Sequence, residues 1–64
     1  MKTRYLIQIY GRSCQKFQRV FPDAEFEGYE CNIRFAFFKL KISESVLRNI
    51  CANEKITLLE IISI

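Results

Sequence analysis

Between Tyr29 and Ile42, apolar side chains fill every odd position as far as Phe37, then every even position from Phe38 onward. A strand turns successive side chains to opposite faces, so a strand with one wet face keeps a single phase. Here both faces receive large groups, Phe35 and Phe37 on one side and Phe38 and Leu40 on the other. A chain of 64 residues can cover one face of a sheet with its own helices. The second face is then aromatic for another reason, and a binding surface is the reading that follows.

The flanking segments supply those helices. Residues 3–10 alternate as a strand, with Tyr5, Ile7 and Ile9 on one face and Arg4, Leu6, Gln8 and Tyr10 on the other. Gly11 ends it, and Ser13 is a candidate N-cap for a short helix reaching Phe21. Cys14, Phe17 and Phe21, with Val20 beside them, form one apolar stripe on that helix. Pro22 stops it, because the residue before a proline is pushed out of the helical region. Residues 24–30 read as a second strand, followed by a turn between Gly28 and Asn32. Ser43 and Glu44 open a second helix whose apolar face holds Val46, Leu47, Ile50 and Cys51, with Asn53 as its terminator. In the closing strand, Lys55–Ile64, alternation puts Ile56, Leu58, Ile62 and Ile64 on one face and Leu59 and Ile61 on the other.

The resulting order is strand, helix, strand, strand, helix, strand. Two right-handed strand–helix–strand units in one sheet predict an α+β fold, a small ferredoxin-like βαββαβ sandwich. Its antiparallel sheet carries both short helices on one face, and residues 1–64 form a single domain. A rival arrangement makes residues 24–42 one bent ribbon, with a β-bulge near Phe37 explaining the change of phase.

Chemistry-bearing groups are few. The chain has no His, so the side chain best suited to proton transfer near neutral pH is missing. Asp23, Glu25, Glu27 and Glu30 form an acidic window, but carboxylates two apart on a strand face water more readily than they build a metal site. Cys14, Cys31 and Cys51 are spaced by seventeen and twenty residues, which is not a zinc pattern, and each sits on an apolar face. Cys14 alone, following the Ser13 cap, has a position that lowers a thiol pKa. Gly11 and Gly28 form no phosphate loop. These features predict no catalysis, no metal and no cofactor.

One stretch resembles a known pattern. Ile33-Arg34-Phe35-Ala36-Phe37-Phe38-Lys39-Leu40 is similar to the aromatic octapeptide of RNA-recognition motifs, with Ile33-Arg34 standing where a basic residue and a glycine are usual. The resemblance implies that Phe35 and Phe37 stack bases while Ala36, Phe38 and Leu40 point inward, with Tyr5 as the partner aromatic on the first strand. Single-stranded nucleic acid is therefore the alternative ligand. Net charge is +3, with Lys2, Arg4, Arg12, Lys16 and Arg19 before the acidic window and Arg34, Lys39, Lys41, Arg48 and Lys55 after it. Such alternation in sign is a weak attractor for a phosphate backbone.

The preferred expectation is a protein partner. The sequence Leu58-Leu-Glu-Ile-Ile-Ser-Ile has no charged or proline gatekeeper except Glu60, so an edge strand there invites pairing with a partner or a second copy as a homodimer. The binding residues expected are Tyr5, Phe35, Phe37, Leu59 and Ile61, with completion of the core as the alternative role of Leu59 and Ile61. A small chain without catalytic equipment suits an inhibitor or modulator of a larger protein complex, a role common among proteins encoded by viruses and mobile elements. Unpaired cysteines, the absence of a secretory pattern and the absence of an apolar run long enough for a membrane point to the cytosol.

Overall fold

The computed structural model describes residues 3–64; Lys2, counted above with the basic group, lies outside them. The elements are β1 (Thr3–Tyr10), α1 (Cys14–Val20), β2 (Glu25–Glu30), β3 (Phe35–Ile42), α2 (Glu44–Glu54) and β4 (Leu58–Ser63). The four strands form one sheet in the order β2-β3-β1-β4, and every neighbouring pair is antiparallel. Strands β1 and β2 therefore flank β3, and β3 and β4 flank β1, so each helix links two strands across a third. The first and last strands are neighbours in this order.

Register decides which residues share a face. Ile7 pairs with Phe38, Ile9 with Ala36, and Tyr5 with Leu40. Those side chains point toward the helices and join Phe17, Phe21, Leu47, Cys51 and Ile56 in one buried core. Phe17 is its hub, with ring centroids 4.6 Å from Phe38 and 4.8 Å from Phe21. A helix as short as α1 holds its shape through such packing rather than through propensity. Gln18 adds a polar tie, its side-chain Nε2 donating to the carbonyls of Phe21 (3.2 Å) and Ala24 (2.9 Å).

Several local expectations are corrected. Tyr29 and Phe35 belong to different strands, separated by a turn over Cys31–Arg34. Arg34 N–H donates to the Cys31 carbonyl (3.2 Å) across that turn. The β-bulge exists, but it lies in β2, where the register slips between Phe26 and Gly28 opposite Phe37 and Phe38. Neither Ser13 nor Ser43 makes a side-chain capping bond. The Ser43 hydroxyl instead meets that of Ser45 at 3.0 Å. Helix α2 ends at Lys55, not Asn53, because Lys55 takes the left-handed conformation (φ 60°) and Ile56 N–H closes onto the Cys51 carbonyl at 2.8 Å. Val46 is exposed, since the inward stripe of α2 runs through Leu47, Ile50 and Cys51.

Candidate binding surface

The opposite face of the sheet carries no helix. Across it, Leu6 of β1 sits between Lys39 of β3 and Ile62 of β4, and Gln8 sits between Phe37 and Glu60. In the next row Tyr10 pairs with Phe35, their rings stacked with centroids 6.2 Å apart, and Glu30 lies beyond Phe35 on β2. Leu6, Tyr10, Phe35 and Phe37 are half-buried and Ile62 is exposed, so an apolar strip crosses this face around the polar Gln8 and Lys39. A shallow depression of about 330 Å³ opens among Leu6, Phe37, Gly28 and Lys39. Gly28 lies in the left-handed half of backbone space (φ +126°), which suits a residue without a side chain beside the bulge.

Of the expected binding residues, Phe35 and Phe37 lie on this face. Tyr5 does not: it pairs with Leu40 and packs against the core. The alternation of β1 already put Tyr5 with Ile7 and Ile9, and the aromatic that stands beside Phe35 is Tyr10. Ile61 is also corrected, because it pairs with Ile7 and packs inward. Ile62 takes the outward position opposite Leu6. Leu58 faces inward opposite Ile9, because register slips between Gln8 and Ile9, and Leu59 lies within that irregularity. This bulge changes the phase of β4, which simple alternation treats as constant.

Charges frame the strip. Arg4 pairs with Glu25 (3.6 Å) and Lys39 with Glu27 (3.3 Å), so the acidic window neutralises cations of its own sheet. Among the described residues no group of three or more His, Cys, Asp or Glu side chains could hold a metal ion. The cysteines are dispersed: Cys51 is buried, Cys14 half-buried and Cys31 exposed on the turn, not on an apolar face. Burial pushes the Cys51 thiol up to about 11. Hydrogen bonding to the Cys14 thiol and its charge, with a small contribution from burial, raise the Tyr29 phenol above its ordinary value.

The end of the sheet where β1 leaves and β3 enters has its own geometry. Cys31, Asn32 and Ile33 all have left-handed backbones (φ 53°, 56° and 64°). For a β-branched residue such as Ile33 this costs on the order of 1–2 kcal/mol. The turn is held against a 3-10 turn at Gly11–Ser13, with Gly11 N–H donating to the Arg34 carbonyl at 2.7 Å. Tyr10, Gly11, Arg12, Tyr29, Ile33 and Arg34 enclose a cleft of about 490 Å³. Arg12 lies over the Tyr10 ring, 4.9 Å from its centroid.

These features define a small α+β protein with one sheet face covered by helices and the other open. No family model, curated protein or solved structure matches the chain. Among the described residues no helix is long and apolar enough to cross a membrane.

Proposed function

We propose that the chain is a non-catalytic protein-binding module that inhibits or modulates a larger protein complex through its open sheet face and the adjoining β4 edge. The carrying observation is the contrast between the two sheet edges. Strand β2 is defended by a bulge and by Glu25, Glu27 and Glu30, devices that discourage strand addition. Strand β4 presents Leu58–Ser63 with one charge, Glu60, and no proline. On the open face Ile62 lies on that bare edge strand and Leu6 beside it on β1, with Phe37 further in on β3. Strand addition would extend this strip, main-chain bonds supplying affinity and side chains supplying specificity.

Single-stranded nucleic acid is the second reading, supported by Phe35, Phe37 and Tyr10 on the open face. The carboxylates favour protein: Glu30 and Glu60 share rows with Phe35 and Phe37, and Arg4 and Lys39 are already paired with Glu25 and Glu27. The test is affinity capture from lysate, with and without nuclease, by the wild type and by Ile62→Lys and Leu59→Lys. The expected result is a protein retained by the wild type and lost by both variants, with unchanged circular dichroism. Recovery of RNA that disappears with nuclease and with Phe35→Ala would replace this reading with the second.

A further inference from the structure

We propose that the cleft between the Gly11–Ser13 and Cys31–Arg34 turns recognises an acidic segment of a protein partner. Arg12 and Arg34 hold a carboxylate there, and Tyr10 and Ile33 receive the apolar side chain beside it. The inference rests on the protein-binding reading but uses a part of the surface away from β4. At about 490 Å³ the cleft has room for a few side chains of a peptide.

Charge selects the occupant. Arg4, Lys39 and Arg48 each have a carboxylate partner within this chain, whereas among the described residues Arg12 and Arg34 have none. Two arginines thus line one cleft to which no carboxylate among the described residues contributes. Arg12 is partly oriented by its position over the Tyr10 ring, so less freedom is lost when it binds. A planar guanidinium matches a carboxylate through two parallel N–H bonds.

The wall is held in place. Gly11 N–H on the Arg34 carbonyl ties the two turns together, and the left-handed run at Cys31–Ile33 leaves the Ile33 side chain two-thirds exposed at the rim. A strained, exposed β-branched residue beside two unpaired arginines is the kind of position that recognition retains. A nucleic-acid strand shares the anionic chemistry but fits less well. Its phosphates would continue from the cleft past Glu30 and Glu60, whereas a peptide carboxylate is a local charge.

The experiment is an amide-resolved NMR titration with three probes. One is a short peptide of Asp and Glu interleaved with Leu and Phe, the second its Asn and Gln counterpart, the third a mixed-sequence single-stranded DNA. The acidic peptide should shift the amides of Tyr10, Gly11, Ile33 and Arg34, and the amide counterpart should bind at least about tenfold more weakly. Arg12→Ala and Arg34→Ala should each weaken the acidic peptide by about tenfold, and Arg34→Lys should recover only part of that loss. Equal binding of the two peptides, shifts confined to other surfaces, no binding at all, or tighter binding of the DNA would each overturn the proposal. Loss of partner capture by Ile62→Lys with a silent cleft would overturn it while leaving the protein-binding reading in place.

Discussion

Replacing Gly11 with Ala tests the tightest backbone approach in the fold. A methyl group there would overlap the Ile33 carbonyl oxygen and stand 3.0 Å from its carbon, and both obstacles are backbone. Carbon atoms in contact prefer about 3.5–4 Å, so the two turns must separate by something on the order of 1 Å. That movement stretches the 2.7 Å bond from Gly11 N–H to the Arg34 carbonyl. Overpacking costs about 1–3 kcal/mol and a weakened hydrogen bond about 0.5–1.5 kcal/mol. The expected loss is thus about 2–4 kcal/mol, from a total of roughly 3–10 kcal/mol for a domain this size. In a thermal melt followed by circular dichroism, Tm should fall by more than about 10 °C. Gly28→Ala separates the two ways a glycine matters. No atom lies within 4 Å of its added methyl, so its cost, about 1–2 kcal/mol, comes from the φ of +126° alone. A Gly11→Ala loss below about 0.5 kcal/mol would show that the turns do not meet as described.

Leu47→Ala should cost about 2–5 kcal/mol, because Leu47 is fully buried against the sheet; a denaturant titration showing under about 1 kcal/mol would mean that α2 does not pack there. Gln18→Ala should cost about 1–2 kcal/mol by releasing two carbonyls, and Gln18→Glu at neutral pH should cost more, since a carboxylate cannot donate to either; equilibrium melts compare the two. Burial holds Cys51 neutral to about 11 against an ordinary value of 9.0, so folding favours the protonated thiol. Its contribution, on the order of 2 kcal/mol, is complete below pH 9 and is lost as pH rises toward 11; Cys51→Ala should flatten that part of a stability–pH curve. Thiol labelling of the native protein should run fastest at exposed Cys31 and slowest at Cys51, and rapid labelling of Cys51 would contradict its burial.

The elements were legible because their apolar periods are strong and local. Ile7 and Ile9 alternate cleanly, Phe17 and Phe21 repeat at helical spacing, and Pro22 and Gly11 punctuate the chain where it changes direction. What escaped is backbone irregularity. Nothing in Gln8 or Ile9 signals the register slip opposite Leu58–Glu60, yet that slip decides that Ile61 points inward and Ile62 outward. Three left-handed residues ending in Ile33 run against intrinsic preference, so a sequence reading brackets the turn between Gly28 and Asn32 and misses its continuation to Arg34. Tyr5 shows a different failure. Its own alternation placed it inward, and likeness to an aromatic octapeptide on another strand drew it outward.

The cleft was illegible for a topological reason. Arg12 and Arg34 are distant in sequence, in basic segments on either side of the acidic window, one in the turn before a short helix and the other ending a turn. They meet only because β1 pairs with β3 out to Tyr10 and Phe35, and because Gly11 lets the two turns touch. Within the sheet the cations were legible as pairs once register was known, since Lys39 is opposite Glu25 and ion-pairs with Glu27 next to it. Ion pairs take up Arg4 and Lys39 within the sheet and, among the described residues, leave Arg12 and Arg34 unpaired where the chain turns. A surface whose net sign is nearly balanced can therefore still present a concentrated positive site, and sequence-wide charge is a poor guide to the partner such a site selects.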